Sequence, residues 1–314
     1  MSEQAHVYRR RRIVAVAVLA ALVLAIVMAL RSCGAGDGDS TGPAPAKSAA
    51  PPRAELPGGG RTIFPARRVV AFYGAPQDKA LGILGIGDLD GAAAKLRRVA
   101  RSYERKSRPV LPAFELISTI ANAAPGADGL YRTHQSAQTI DRHLAAARRA
   151  KALLLLDIQP GRGDFLSEVQ RLSRWLLEPD VGVALDPEWH VGPQEVPGKT
   201  IGSVTAEQVN EVTTYLSNLV GKYDLPEKLF VVHQFTNDMI EGKERVQRPP
   251  GLAVTMNVDG FGDRPNKISK YKAFTSEATR FHDGFKIFYE EDVNLMSPGA
   301  VLSLVPPPDF VVYE

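Results

Sequence analysis

Two apolar stretches decide the fold of this chain: LLLLDI at Leu153–Ile158 and VGVALDPEW at Val181–Trp189. Both are apolar at successive positions, a pattern typical of parallel strands buried between a core and an outer layer of helices. Both also end in acids, with Asp157 closing the first stretch and Asp186 and Glu188 closing the second. The two stretches therefore predict parallel strands whose carboxyl ends carry carboxylates.

Such strands recur beyond Arg67, with amphipathic helical stretches between them. Eight strands are predicted: Val69–Tyr73, Val110–Glu115, Leu153–Ile158, Val181–Glu188, Leu229–Gln234, Leu252–Asp259, Phe285–Glu290 and Phe310–Glu314. Eight strands alternating with helices are typical of a (β/α)₈ or TIM barrel, a fold of the α/β class. The alternative is a doubly wound open sheet. The turn after the first strand, YGAPQ at 73–77, lacks the glycine-rich pattern of that fold.

Several predicted helices carry clear N-terminal signals. Thr205 and Gln208 have the spacing of a capping box. Ser297 followed by Pro298 is typical of an N-cap with proline at the first helical position. No helix signal follows the eighth predicted strand, so we expect the end of the linker or the segment around Thr62–Pro65 to cover that gap.

The N-terminal segment predicts a membrane anchor. The unbroken apolar run IVAVAVLAALVLAIVMAL at 13–30 follows four arginines, is long enough to cross a bilayer, and leaves the basic residues 1–12 in the cytoplasm. A disordered linker rich in Pro, Gly and Ala is predicted at 31–66. The barrel domain, predicted at 67–314, is then held on the extracytoplasmic side, at the cell surface. The alternative is a lipoprotein modified at Cys33, although Arg31 stands where a lipobox has a small residue.

The charge of the chain gives no indication of nucleic-acid binding. The formal net charge of the whole chain is +3, whereas residues 1–33 alone carry +4, so the net charge of the remaining residues is −1. No basic stripe occurs in those remaining residues. Neither a metal nor a cofactor is expected. The six histidines show no HxH or HExxH spacing, and the chain has a single cysteine.

The carboxyl ends of the strands are where a TIM barrel holds its active site. Most of the predicted strands end there in polar, mainly acidic side chains, an accumulation that favours a functional site, although acids in such places also cap helices. We expect eight residues to line the substrate site: Tyr73, Glu115, Asp157, Trp189, Gln234, Asn257, Asp259 and Glu290.

Asp186 and Glu188 are the predicted catalytic residues. Two positions apart on a strand, they point to the same face, with Cα atoms about 6.6 Å apart. Two acids this close resist ionising together, so one keeps its proton near neutral pH, as a general acid requires. We predict that Glu188 is the acid and that Asp186 orients it. The alternative is that Asp186 binds a loop backbone while Glu188 is a solvated rim residue.

This D-x-E at the end of a fourth barrel strand resembles the motif of family 18 chitinases and family 25 lysozymes. The sequence MNVD at 256–259 is similar to the chitinase M-x-Y-D, with Val258 in place of the tyrosine. The chitinase acids upstream of D-x-E are missing, since Gly182 and Ala184 stand there. The resemblance implies a glycoside hydrolase in which Glu188 donates the proton and Asp186 helps to position an N-acetyl group.

Three functions follow as hypotheses. The first is a surface-anchored glycoside hydrolase-like enzyme acting on a cell-envelope or extracellular polysaccharide, such as a peptidoglycan-like glycan. The second is a catalytically inactive barrel that binds envelope glycan or a partner protein. The third is a metal-dependent phosphodiesterase-type barrel, which the ring of acids would serve by binding magnesium or calcium.

Overall fold

The computed structural model describes residues 53–275 and 281–314. The predicted anchor at 13–30, Cys33 and most of the predicted linker lie outside these residues. Within the described ranges, no helix is long and apolar enough to cross a membrane.

Eight parallel strands form the centre of the fold. They are β1 Arg68–Gly74, β2 Val110–Ala121, β3 Leu153–Ile158, β4 Val181–Leu185, β5 Lys228–Gln234, β6 Leu252–Val258, β7 His282–Ile287 and β8 Phe310–Tyr313. Each pairs with the next in chain order, and β1 also pairs with β8, so the sheet closes on itself. The predicted TIM barrel is confirmed, and the open sheet is excluded because a doubly wound sheet leaves its two edge strands unpaired.

Helices cover the outside of the barrel. They are α1 Leu89–Tyr103, α2 Ala137–Arg149, α3 Phe165–Arg171, α4 Ser173–Leu176, α5 Ala206–Tyr223, α6 Arg264–Phe274 and α7 Pro298–Leu302. The connection from β5 to β6 contains a 3₁₀ turn at Lys243–Arg245 in place of an α-helix. Three short strands, Arg132–His134, Val204–Thr205 and Ile240–Glu241, lie in the connections.

The predicted helix starts are confirmed. Thr205 Oγ1 accepts a hydrogen bond from the Gln208 backbone, and the Gln208 side chain accepts one from the Thr205 N–H, which completes the capping box ahead of α5. Ser297 accepts a hydrogen bond from the Ala300 N–H at the start of α7. These side chains satisfy backbone donors that the first turn of a helix leaves unpaired.

The alternating side chains of the strands form two apolar clusters. Residues such as Val70, Phe72 and Leu154 pack outward against the helices, whereas Val69 and Leu155 pack inside the barrel. This alternation follows from the two-residue repeat of a strand and determines which polar side chains reach the interior.

One inward position of β4 accepts only glycine. A Cβ atom at Gly182 would lie 2.4 Å from the backbone oxygen of Leu229 on β5. The barrel therefore has no room for an acid at Gly182, where chitinase-like sequences would place one upstream of D-x-E.

The carboxyl ends of three predicted strands differ from the observed ends by three or more residues. β4 ends at Leu185, because Pro187 cannot donate to the sheet and begins a 3₁₀ turn, Pro187–Trp189. β2 continues to Ala121, which leaves Glu115 in the middle of the strand. β7 occupies His282–Ile287, upstream of the predicted segment.

The end of the predicted linker belongs to the barrel body. Leu56, Ile63 and Phe64 are buried against the inner cluster at the amino ends of the strands, and the Glu227 carboxylate accepts hydrogen bonds from the backbone of Ile63 and Phe64. This segment closes the amino end of the barrel and does not replace an eighth helix. The outer face of β8 is covered by α1, where the Tyr103 and Tyr313 hydroxyl groups are hydrogen-bonded.

Candidate functional site

A polar layer fills the carboxyl end of the barrel interior, above the apolar inner cluster. Each of the eight strands contributes to it, from within the strand or directly after it: Tyr73, Glu115, Asp157, Asp186, His233, Asn257 with Asp259, Lys286 and Glu314. All but Glu314 are buried. Buried polar and charged groups are costly unless they are paired, so the contacts among them determine what the layer can do.

His233 lies between two acids that come from different strands. Its Nδ1 lies 2.8 Å from Asp259 Oδ2, and its Nε2 lies 2.9 Å from Glu115 Oε1. On the opposite side, the Tyr73 hydroxyl donates to Asp157 Oδ2 at 3.1 Å and accepts from Gln159 Nε2 at 3.1 Å. Gln159 also reaches Asp186 Oδ2, at 3.4 Å. These hydrogen bonds connect Asp186 through Gln159 and Tyr73 to the other buried side chains of the polar layer.

Lys286 is the principal cation of the site. Its Nζ lies 3.2 Å from Asp259 Oδ2, 2.7 Å from Glu314 Oε2 and 3.9 Å from the centre of the Tyr73 ring. Burial alone would favour the neutral amine, but the carboxylates of Asp259 and Glu314 outweigh it and hold the pKa of Lys286 above its ordinary value. Burial likewise opposes ionisation of Asp259, yet Lys286 and His233 keep the pKa of that carboxyl below its usual range.

A cavity of about 300 Å³ opens above this layer. Its acidic lining residues are Asp186, Glu188, Asp259 and Glu314, and Lys286 lies at its base. Aromatic rings complete the lining: Tyr73, Trp189, Phe235, Phe261 and Phe288. The Phe261 side chain is 61% exposed, so the cavity has an apolar edge that faces solvent. Rings beside carboxylates suit a ligand with both apolar faces and hydroxyl groups.

The two acids of the D-x-E motif face this same cavity, although Glu188 lies in the 3₁₀ turn and not on the strand. Burial, with the negative charges of Asp186 and Asp259, raises the pKa of Glu188 to about 8. Burial raises the pKa of Asp186 to about 6, a rise that His233 and Lys286 limit. Glu188 therefore holds a proton at neutral pH beside a carboxylate that is mostly ionised.

The predicted substrate residues separate into three groups. Tyr73, Trp189 and Asp259 line the cavity with the two catalytic candidates. The buried residues Glu115, Asp157 and Asn257 lie beneath it. Gln234 and Glu290 lie elsewhere.

Two of the predicted substrate residues, Gln234 and Glu290, do not line this cavity. On β5 the inward position is His233, so Gln234 points outward and accepts from Lys243 Nζ at 2.7 Å. Glu290 is exposed in the loop after β7 and lines a separate small cavity with Lys79 and Lys95. In both cases the position of a strand end, which sequence patterns locate to within a few residues, decides which side chain points inward.

Three functional candidates were missed from the sequence: His233, Gln159 and Lys286. Lys286 lies between Phe285 and Ile287, both of which pack outward. A charged residue between two outward apolar residues on a strand is a signal that could have identified it. His233 follows the same alternation on β5. Gln159 lies one residue beyond β3, and no sequence pattern marks it.

One group of the described side chains has the composition of a metal site. Glu115, Asp157 and His233 bring potential ligand atoms within 4.8 Å of one another. The three residues come from three different strands, so no short ligand spacing could reveal them. A larger cleft of about 740 Å³, lined by Arg162, His190 and Glu195 among others, contains none of the strand-end acids.

Comparison with known proteins gives a fold-level likeness. No family profile and no curated protein matches the sequence. Among solved structures, the chain is similar to the GH18 chitinase ChiB of Flavobacterium johnsoniae, with 7% identity over 81% of this chain and 88% of that one and a TM-score of 0.38. It is also similar to the endoglucanase Cel5A of Thermotoga maritima, with 12% identity over 81% and 88% of the two chains and a TM-score of 0.42.

The spore coat polysaccharide biosynthesis protein spsE of Bacillus subtilis is a further similar structure. Its identity is 11% over 80% of this chain, its TM-score is 0.44, and the match spans 61% of its own length. At such values the activities of these proteins are not transferred to this chain. The fold itself places the chain among the TIM-barrel proteins, and its function has to be inferred from its own side chains.

Proposed function

We propose that this protein is a glycoside hydrolase-like enzyme that cleaves a cell-envelope or extracellular polysaccharide. One observation carries the proposal: Asp186 and Glu188 line a single cavity at the carboxyl end of the barrel, with Glu188 protonated and Asp186 largely ionised at neutral pH. Glycosidic cleavage requires such a pair, one carboxyl group that gives up a proton and one carboxylate that supports the reacting sugar.

Glu188 would transfer its proton to the glycosidic oxygen as the bond from that oxygen to the sugar carbon breaks. Positive charge then develops on the sugar ring, and the ionised acids of the cavity stabilise it. The resemblance to family 18 chitinases implies that Asp186 holds an N-acetyl group whose carbonyl oxygen attacks the same carbon. Water afterwards releases the sugar, and a proton returns to Glu188.

The lining of the cavity supports a neutral sugar as ligand. Trp189 and Phe261 offer ring faces against which a pyranose can stack. Asp186, Glu188 and Asp259 offer acceptors for hydroxyl and amide groups. The surplus of carboxylates over the single lysine disfavours polyanionic substrates, because like charges repel in a poorly hydrated site. An uncharged glycan rich in N-acetyl sugars fits these features.

The test is a matched pair of carboxylate-to-amide variants of the full-length protein, assayed for release of reducing sugar from peptidoglycan and chitin. Glu188→Gln should lower kcat by about 10²–10⁴-fold, the usual contribution of a general acid. Glu211→Gln, on the exposed face of α5, should retain the parental rate. Equal rates for Glu188→Gln and the parent would exclude Glu188 as the acid.

A second candidate is a barrel that binds glycan without cleaving it. It is supported by Val258, which stands at the tyrosine of the chitinase-like motif and packs into the outer cluster, away from the cavity. Binding of chitin oligosaccharides by the parent without any release of reducing sugar would favour this candidate. Cleavage of a phosphodiester substrate that is lost in EDTA would instead favour the phosphodiesterase-type alternative.

We also propose that residues 13–30 hold the protein at the cell surface, with the barrel outside the cytoplasmic membrane. The uninterrupted apolar run and the arginines before it support this location. Protease added to intact cells should digest the barrel, and protection of the barrel would contradict the location. Labelling with a radioactive fatty acid that disappears in Cys33→Ala would identify lipid attachment.

A further inference from the structure

We propose that Glu115, Asp157 and His233 bind a divalent transition-metal ion in the barrel interior, beneath the proposed catalytic cavity. The three residues lie on β2, β3 and β5, their side chains are at most 1% exposed, and each offers a ligand atom within 4.8 Å of the others. None of the three residues lines the catalytic cavity.

The first observation is a pair of buried oxygens without partners. Glu115 Oε2 and Asp157 Oδ1 are inaccessible to solvent and accept no hydrogen bond. Leaving a buried acceptor unpaired costs free energy, and the cost is greater when the group is charged. Asp157 is fixed in this orientation because its other oxygen, Oδ2, binds the Tyr73 hydroxyl. A cation between the two carboxylates would provide the missing partner for both.

The second observation is the orientation of the imidazole. His233 Nδ1 lies 2.8 Å from Asp259 Oδ2, and Asp259 is also bound by Lys286. An ionised Asp259 selects the tautomer whose Nδ1–H donates to it. His233 Nε2 lies 2.9 Å from Glu115 Oε1 and 3.9 Å from Asp157 Oδ1, so it could bind an ion held between these carboxylates once its own proton is displaced. In metal sites the ring nitrogen of a histidine that does not bind the ion usually donates its N–H to a carboxylate in this way.

Asn257 fits the same arrangement. Its Nδ2 lies 3.1 Å from His233 Nδ1, and its Oδ1 is another buried atom without a partner. A half-turn of this carboxamide would let Oδ1 accept from the Nδ1–H together with Asp259. The imidazole would then be held from two sides with Nε2 free to bind the ion.

The ligand set indicates the class of metal. One imidazole nitrogen and two carboxylate oxygens suit Zn²⁺ or Mn²⁺, whereas Ca²⁺ prefers six to eight oxygens. The ion would also offset the negative charge that Glu115 and Asp157 carry when they are ionised. Protons are the competing occupants, because an imidazolium on His233 would also satisfy Glu115 Oε1.

The primary test uses the full-length protein in detergent, stripped with EDTA and dialysed separately against Zn²⁺, Mn²⁺ and Ca²⁺. Mass spectrometry of bound metal should find roughly one Zn²⁺ or Mn²⁺ per chain, the stoichiometry of a single closed site, together with a raised Tm. Uptake of no ion, or of Ca²⁺ alone, overturns the proposal and indicates protons in this position.

A second measurement locates the ion. In ¹⁵N-histidine NMR of the parent protein, one imidazole nitrogen should shift on addition of Zn²⁺, and no histidine shift would mean that the ion is held elsewhere. Glu115→Gln should weaken Zn²⁺ binding at least tenfold, while Glu211→Gln should bind as the parent does. If Glu115→Gln does not fold, the stoichiometry and NMR of the parent still decide the question, and neither depends on enzymatic activity.

Discussion

Lys286 Nζ lies 3.2 Å from Asp259 Oδ2, so the last inward-facing residue of β7 and the residue after β6 form an ion pair at the base of the cavity. This pair fixes the charge of the site. Lys286 keeps Asp259 ionised, and its positive charge lowers the pKa values of Asp186 and Glu188 from the level that burial alone would give.

Glycan hydrolysis should have a bell-shaped pH dependence with its maximum between about pH 6 and pH 8. The lower limb reflects ionisation of Asp186, whose pKa is raised to about 6, and the upper limb reflects loss of the proton from Glu188, whose pKa is raised to about 8. Because the two groups interact, the limbs belong to the pair. The measurement is kcat/KM against pH, and a maximum below pH 5 would contradict these assignments.

Replacing Lys286 by methionine should destabilise the barrel by about 3–5 kcal/mol, because Asp259 would lose a buried partner. It should also move the lower limb of the pH profile upward, since the charge that limits the pKa of Asp186 is removed. Chemical denaturation and the pH profile measure the two effects. The control is Lys106→Met, at an exposed position, and equal losses in both variants would argue against the ion pair.

Glu188→Gln should stabilise the protein increasingly as the pH rises from about 4.5 to about 8. The folded state raises the pKa of Glu188 from 4.5 to about 8, so within that window folding takes up a proton that the unfolded chain has released. Stability due to Glu188 therefore falls as the pH rises, and glutamine removes this dependence. Denaturation of parent and variant at about pH 5 and pH 8 would reveal the trend, which a constant difference would refute.

Ile63→Ala should cost about 2–5 kcal/mol of unfolding free energy, the usual range for deleting this much of a buried side chain. Ile63 is fully buried where the N-terminal segment closes the barrel. Ile268→Ala, at a 37% exposed position of α6, should cost much less. The comparison is made by urea denaturation, and similar costs for both variants would show that the segment adds little to the barrel.

Much of the fold could be predicted from the sequence because its signals are local. Apolar runs such as Leu153–Ile158 identify buried strands, and the Thr205–Gln208 pair marks where a helix begins. Strand ends were predicted less well. The predicted fourth strand runs through Pro187, although a proline has no N–H to donate to a sheet. The predicted seventh strand begins later than the observed one, and the inward position of Lys286 was therefore missed.

The sequence by itself determined the eight-strand barrel and the pair of acids Asp186 and Glu188, because both follow from patterns among residues that are close together in the chain. Only the tertiary structure decided which other side chains share their space. Glu115, Asp157, His233 and Lys286 lie on different strands, and closure of the sheet and the register of its strands set the height at which each reaches the interior. Burial then sets their protonation, because the cost of a charge depends on all the groups around it.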